Sequence, residues 1–224
     1  MIHFIHVGKC AGSSVMAALR NRNIEFKQYH CFDANITLNK KLKQKNNSYY
    51  LLTVRDPIKR FISAFYYDYY EKRLVTDEVG PNGLWKEYYE VFKSPNEVAE
   101  ALTSQDSMLK DLAESYIFNS RLHAEFSLSW YVSIKHIKYL TAKNCHVIRT
   151  EKADEDFLKF LQNSNVDLSG FNGLGREKQD YKHCIDSYNV TLSELGKNNL
   201  KNAYLQDYMV LDGLFRQSLI DERY

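Results

Sequence analysis

The chain has 224 residues, of which 44% are hydrophobic and 26% charged, and this balance is that of a globular protein with one well-packed core. A formal net charge of +2 argues against a nucleic-acid-binding surface, and no apolar run reaches the length of a membrane span. The four cysteines lack Cys-x-x-Cys spacing and a strand begins at residue 2, so the sequence predicts free thiols, no zinc site, no signal peptide, no membrane insertion and a cytoplasmic location.

The first predicted element is a strand over residues 2–7, followed by a glycine-bounded loop over 8–12. Ser13 and Ser14 then open an apolar-periodic helix. Because amide groups at a helix N-terminus point outward and carry the positive end of the helix dipole, such a turn is a natural phosphate site. Lys9 adds a point charge and the two serines add hydroxyl donors. The pattern predicts a phosphate-type ligand.

Two further strands are predicted at residues 24–29 and 49–54. The second is an unbroken apolar run, which is typical of a strand buried on both faces of a parallel sheet. The first of them ends at His30 and the second at Arg55, and Pro57 suits the first turn of the helix that follows.

The remainder of the chain alternates between helical and strand patterns. A capping box at Ser94 and Glu97 predicts a helix through Leu102. The other predicted segments are helical residues 105–140, a strand over 146–150, an amphipathic helix from 151, a loop over 163–179 and helices within 192–219.

This alternation predicts an α/β fold, namely a single domain over residues 1–224 with a P-loop-like parallel sheet flanked by helices. Ligands of such sheets bind at the carboxyl ends of the strands. Lys9, His30 and Arg55 each follow a predicted strand, so we expect them at one edge of the sheet.

The glycine-lysine loop is not a Walker A motif, because that motif places the lysine after its second glycine and a Ser/Thr after the lysine. Here Lys9 precedes Gly12, and Val54 is followed by Arg55 rather than by a magnesium-binding aspartate. A nucleotide or small-molecule kinase is therefore disfavoured but stays open as an alternative.

Two stretches, His-Val-Gly-Lys-Cys-Ala-Gly-Ser-Ser and Val-Arg-Asp-Pro-Ile-Lys-Arg-Phe-Ile-Ser-Ala-Phe, resemble the motifs of the PAPS-dependent sulfotransferases. The closest likeness is to the carbohydrate branch (sulfotransferase family 2-like), whose first loop reads like His-Ile-Pro-Lys-Thr-Ala-Gly-Thr-Ser. PAPS denotes 3′-phosphoadenosine-5′-phosphosulfate. The chain departs from this pattern at Gly8 and Cys10, where the family has proline and threonine.

The resemblance implies that the first motif binds the 5′-phosphosulfate and the second the 3′-phosphate. The residues implied for the 5′ group are Gly8, Lys9, Cys10, Ala11, Gly12, Ser13 and Ser14. Arg55 and Ser63 are implied for the 3′-phosphate, with Lys178 or Arg176 as a cation that folds over it.

Catalytic roles are expected for Lys9, which would neutralise charge on the leaving group, and for His30 as the general base. The Tyr-His-Cys-Phe setting of His30 is similar to the Tyr-His-Gly-His segment of the uronosyl 2-O-sulfotransferases. Asp33 and Glu151 are the reserve bases, and His6 is expected to be structural.

The resemblance implies a sulfotransferase that moves a sulfuryl group from PAPS to a hydroxyl of a carbohydrate or glycolipid, with no metal. Residues about 75–145 carry no motif and are expected to recognise the acceptor. A non-catalytic nucleotide- or glycan-binding module with the same fold is the second alternative.

Overall fold

A computed structural model describes residues 1–30, 40–42, 48–164, 166, 168–175, 180–185 and 188–224. Within these ranges no helix combines the length and the apolar character needed to cross a membrane. Three residues with predicted roles lie outside the described ranges, and their roles stay predictions; they are Asp33, Arg176 and Lys178.

Four parallel strands form one sheet in the order β2-β1-β3-β4. They are β1 (Ile2–Ile5), β2 (Phe26–Tyr29), β3 (Tyr49–Val54) and β4 (Cys145–Arg149). Phe4 at the centre of β1 pairs with Gln28 on one side and Leu51 on the other. The predicted α/β class and parallel sheet are confirmed, and the carboxyl ends of all four strands share one edge.

Nine α-helices are described. They are α1 (Gly12–Asn21), α2 (Pro57–Tyr69), α3 (Leu84–Val91), α4 (Pro95–Ala101), α5 (Ser107–Phe118), α6 (Leu128–Tyr131), α7 (Ala153–Asn163), α8 (Glu194–Ala203) and α9 (Leu205–Arg216). The predicted N-cap is confirmed, since Ser94 Oγ accepts from the Glu97 amide, but the Glu97 carboxylate accepts from the amide of Lys93, one residue before the N-cap.

One predicted helical region is discontinuous. Residues 105–140 contain α5, the short α6 and a 3₁₀ segment at Ile134–Tyr139, with residues 119–127 non-helical. The Asp106 carboxylate caps α5, and Asp207 accepts hydrogen bonds from the Leu128 and Ser129 amides at the start of α6. These side chains cap the first turns of the two helices. Hydrophobic spacing alone does not reveal where these helices begin.

The described chain divides into two compact units. The first comprises residues 1–56, 128–178 and 206–224 and contains the whole sheet. In this unit α1 and α7 pack against the sheet through a buried apolar cluster. Its fully buried members are Phe4, Val15, Leu19, Leu51, Ile148, Phe157, Phe160 and Leu161.

The second unit comprises residues 57–127 and 179–205, and aromatic rings fill its core. Buried Arg60 and Asp68 of α2 hold its non-helical segment. The Arg60 guanidinium donates to the carbonyls of residues 123, 124 and 126, and Asp68 accepts from the His123 amide and ring. Side chains of one helix thus satisfy several backbone groups of this segment.

Candidate active site

The loop between β1 and α1 takes an unusual backbone path. Lys9 has φ 65° and Ala11 has φ 58°, so two non-glycine residues occupy the left-handed region. Ala11 occupies the position before the first helical residue of α1 and makes no side-chain cap. The first turn of a helix has amide groups without intrahelical acceptors, so this end of α1 suits an anion.

A glycine is required at position 12 because there is no room for a Cβ atom, and not because the backbone has a positive φ. A Cβ atom at this position would lie 1.9 Å from His6 Cδ2 and 2.2 Å from His6 Nε2. The His6 ring therefore packs directly against the start of α1. This close approach explains a glycine here, although the sequence pattern attributes it to phosphate binding.

Arg55 and the phosphate loop are directly connected. Arg55 Nη1 donates to the Lys9 carbonyl oxygen at 3.2 Å, which links residues 46 positions apart. A guanidinium has five N–H donors, so one arginine can hold a backbone carbonyl and also contact an anion. The structure thus brings together Lys9 and Arg55, two of the residues that the sequence predicts for the site.

Cys10 faces into the protein. Its side chain is buried, and Sγ lies 3.7 Å from the Gly8 carbonyl oxygen, within the loop itself. The departure from the family's threonine thus places a thiol against the loop backbone. The contact is local to the turn that carries Lys9.

His30 lies at the carboxyl end of β2, and its ring has a defined tautomer. Nδ1 lies 2.8 Å from the His6 carbonyl oxygen, which can only accept, so Nδ1 carries the proton. In the neutral ring Nε2 is then the accepting nitrogen. Tyr131 lies on the other side, with its ring centroid 6.5 Å away and its hydroxyl 3.5 Å from Nδ1. This is the form of histidine that can accept a proton from a hydroxyl.

The His6 ring contacts three neighbouring side chains. It stacks on the ring of His30 with centroids 4.4 Å apart and planes 20° apart. It also stacks on the Phe4 ring, with centroids 5.5 Å apart. The amide nitrogen of Gln28 lies 2.8 Å from His6 Nδ1.

Glu151, the reserve base, lies at the carboxyl end of β4 and is engaged by two donors. Its Oε1 accepts from the Asp56 amide at 3.3 Å, and its Oε2 accepts from the Tyr224 hydroxyl at 3.1 Å. Burial first, and then the Glu151 charge, raise the pKa of the Tyr224 phenol well above its ordinary value. These contacts favour a structural role for Glu151.

Ser63 belongs to the second unit. It is buried on α2, and its Oγ lies 3.2 Å from the Tyr181 hydroxyl. The Tyr181 ring is in turn bounded by the rings of Tyr67, Tyr70 and Tyr188. Each hydroxyl can both donate and accept, so either one can hold the other in place.

No group of three or more His, Cys, Asp or Glu side chains that could hold a metal occurs in the described part of the chain. Cys10, Cys145 and Cys184, the cysteines in the described part of the chain, are not in disulfide bonds. Burial raises the pKa of the Cys145 thiol to about 12, so it stays protonated at neutral pH.

Gln28 and Tyr131 join the site without a sequence signal of their own. Gln28 sits on an alternating strand, and its polar side chain points to the same face as Phe4 because the two residues pair in register. Register could identify Gln28 once the sheet order is known. Tyr131 lies in a single turn of helix, for which no periodic pattern exists.

Comparison with known protein families identifies a family for this chain. The model described as Sulfotransferase family matches residues 1–207. No curated protein and no solved structure matches the chain.

Proposed function

Since the chain belongs to the sulfotransferase family and is a PAPS-dependent sulfuryl transferase, we propose that its acceptor is a hydroxyl of a carbohydrate or glycolipid. The products are then a sulfate ester and adenosine 3′,5′-bisphosphate (PAP). The family match over most of the chain carries the assignment of the reaction. The acceptor class comes from the resemblance of the two motifs to the carbohydrate branch.

The residues present fit a phosphosulfate group. The turn before α1 combines outward-pointing amides, the partly buried Lys9 and the hydroxyl groups of Ser13 and Ser14. Each is a donor or a positive charge, as a group bearing several anionic oxygens requires. We assign the 5′ group to Gly8, Lys9, Cys10, Ala11, Gly12, Ser13 and Ser14.

The 3′-phosphate is assigned to Arg55 and Ser63, with Lys178 as a further cation. For Arg55 the support is its guanidinium, which already braces the turn through the Lys9 carbonyl. For Ser63 the support is the sequence motif, and for Lys178 it is the position in a glycine-rich stretch of the sequence and the resemblance to the family. Two phosphate-binding motifs on one chain match a nucleotide that is phosphorylated on both its 3′ and 5′ sides.

His30 is proposed as the general base. Its Nδ1 proton is donated to the His6 carbonyl, so Nε2 accepts the proton of the acceptor hydroxyl. As the acceptor oxygen forms its bond to sulfur, the bond between sulfur and the bridging phosphate oxygen breaks. Lys9 stabilises the negative charge that this oxygen gains, and the reaction needs no metal in this scheme.

Nucleotide binding tests the donor assignment without knowledge of the acceptor. Calorimetric titrations with PAP, 5′-AMP and ATP, each with and without magnesium, should show that PAP binds most tightly and that magnesium has no effect. Lys9→Met should weaken PAP binding, whereas Lys110→Met, at an exposed lysine of α5 outside both motifs, should not. Magnesium-dependent ATP binding tighter than that of PAP would instead support the kinase alternative.

A panel of glycans and glycolipids with radiolabelled PAPS tests the acceptor assignment. Transfer to a hydroxyl of at least one member is the expected result. Tight PAP binding without transfer to any member would support a non-catalytic binding module.

A further inference from the structure

His6 connects the two functional parts of the sheet edge. The Cδ2–Nε2 side of its ring packs against Gly12 at the start of α1, and one face of the ring stacks on His30. It is buried, with 8% of its surface exposed. A movement of this ring would therefore alter both the phosphate turn and the proposed base.

The hydrogen bond from Gln28 favours one tautomer of His6. The Gln28 amide nitrogen lies 2.8 Å from His6 Nδ1, and an amide NH₂ group only donates. His6 Nδ1 is therefore the acceptor, and the proton of the neutral ring lies on Nε2, the atom that faces Gly12. The protonated Nε2 thus lies beside the first residue of α1, where the proposed ligand is anionic.

His6 in turn holds His30 in two ways. Its carbonyl oxygen accepts from His30 Nδ1 at 2.8 Å, which fixes the tautomer of His30. Its ring lies nearly parallel to that of His30 at 4.4 Å, which fixes the ring plane. The His6 amide donates to the Tyr29 carbonyl at 3.0 Å, so the backbone that carries both contacts is itself part of the sheet.

We propose that Gln28 and His6 are positioning residues, which hold His30 with its proton on Nδ1 and its accepting nitrogen, Nε2, toward the acceptor hydroxyl. The role assigned to His30 rests on the proposed function, whereas the coupling among the three side chains does not. Loss of the Gln28 amide removes the preference of His6 for one tautomer and loosens the ring on which His30 stacks.

The same two strands contain a matched control. His3 is also a buried histidine of β1, and its Nδ1 bonds a side chain of β2, the Tyr29 hydroxyl, at 2.9 Å. Because side chains alternate along a strand, Tyr29 lies on the opposite face of the sheet from Gln28. Tyr29→Phe therefore removes a comparable side-chain hydrogen bond from the opposite face of the sheet and keeps the Tyr29 carbonyl that accepts from the His6 amide.

The test is NMR of the histidine ring nitrogens, which distinguishes Nδ1–H from Nε2–H rings, in protein labelled with ¹⁵N-histidine. At a pH where the rings are neutral, His30 should show the Nδ1–H pattern and His6 the Nε2–H pattern. Gln28→Leu should shift both rings toward a mixture, and Gln28→Glu should move the His6 proton to Nδ1 because a carboxylate only accepts. Tyr29→Phe should leave both rings unchanged.

PAP titration of the same variants separates this inference from the proposed function. If Gln28→Leu and Gln28→Glu leave the His6 and His30 signals unchanged, or if Tyr29→Phe moves them equally, the positioning role is wrong. If the ring signals respond as expected but the wild-type protein does not bind PAP, the proposed ligand is wrong and the coupling stands. The opposite pattern, PAP binding without coupling, overturns only the inference.

Discussion

The Arg55 guanidinium donates to the carbonyl oxygen of Lys9 at 3.2 Å. This bond joins the end of β3 to the turn after β1, where Lys9 has a left-handed backbone with φ 65°. A non-glycine residue in that region carries a conformational cost that the surrounding structure must offset. Arg55 is thus part of the support for the Lys9 conformation, in addition to its proposed contact with phosphate.

This double role predicts different effects for two variants of the 3′-phosphate motif. Arg55→Ala should weaken the binding of both PAP and 5′-AMP, because it removes a phosphate donor and a brace of the 5′ turn. Ser63→Ala should weaken PAP binding by about tenfold, the contribution of one charge-assisted hydrogen bond, and leave 5′-AMP binding unchanged. Calorimetry with the two nucleotides measures both effects.

Arg55→Lys is the matched control for this prediction. Lysine keeps the charge but lacks the planar fork that can reach a carbonyl and a phosphate together, so 5′-AMP binding should be only partly restored. Equal loss of PAP and 5′-AMP affinity in Ser63→Ala would contradict the assignment of Ser63 to the 3′-phosphate.

The strands were predictable because a buried parallel strand appears in the sequence as a short apolar run bounded by polar residues. Residues 49–54 match β3 at both ends, and the predicted 146–150 strand differs from β4 by one residue at each end. Their order and parallel pairing then bring Lys9, His30 and Arg55 to one edge. The position of these three residues at one edge therefore follows from the hydrophobic pattern of the sequence and the geometry of a parallel sheet.

The contacts within the site were less predictable, because they depend on which rings face each other across strands. The sequence predicts a structural role for His6 but does not indicate that its ring contacts both Gly12 and His30. In residues 105–140, helix starts depend on the distant Asp207 and the segment 119–127 depends on Arg60 and Asp68. Such side-chain-to-backbone bonds leave no periodic signal in the local sequence.

Gly12→Ala should destabilise the protein and impair nucleotide binding. The added Cβ would overlap His6 at 1.9 Å, and both the ring and the helix backbone are held by other contacts. Overpacking of this kind costs about 1–3 kcal/mol. Chemical denaturation and PAP titration measure the two effects.

The matched test is the double variant Gly12→Ala/His6→Ala, in which the clashing ring is absent. It should recover part of the stability lost by Gly12→Ala, while His30 loses the ring on which it stacks. Gly83→Ala is not a suitable control. Gly83 has φ 79°, so alanine there would be strained by the backbone itself, whereas the backbone of Gly12 does not have a positive φ. No recovery in the double variant would show that the His6 contact does not explain Gly12.

Stability should fall as the pH drops below about 6.5, the ordinary pKa of histidine. Burial lowers the pKa values of His3 and His146 in the folded protein, and nearby cations add to the effect for His3. The unfolded chain therefore binds more protons than the folded protein in this range, and the folded state loses stability until the pH falls below the folded pKa values.

His146→Gln tests this pH dependence. His146 Nε2 lies 2.7 Å from the Asp156 carbonyl oxygen and donates to it, and a glutamine amide retains a donor but does not titrate here. Denaturation midpoints at pH 8 and pH 5.5 should differ less in this variant than in the wild-type protein. An equal difference would mean that His146 does not contribute.

Loss of the buried ion pair between Arg149 and Asp156 at the end of β4 should lower the stability of the protein. Arg149 donates from Nη2 to Asp156 Oδ1 at 2.6 Å and from Nε to Asp156 Oδ2 at 2.8 Å, and both side chains are about 95% buried or more. Arg149 Nη1 also bonds Asp221. Arg149→Met leaves a buried carboxylate without its partner, which costs about 3–5 kcal/mol.

In the double variant Arg149→Met/Asp156→Asn the buried charge is gone. The amide oxygen of the new side chain can still accept from the backbone N–H of residue 149, which in the wild-type protein donates to Asp156 at 2.9 Å. Most of the loss should therefore be recovered, whereas Lys159→Ala at an exposed pair with Glu155 should barely move the denaturation midpoint. A double variant no more stable than Arg149→Met would assign the loss to packing of the arginine stem instead of the unpaired charge.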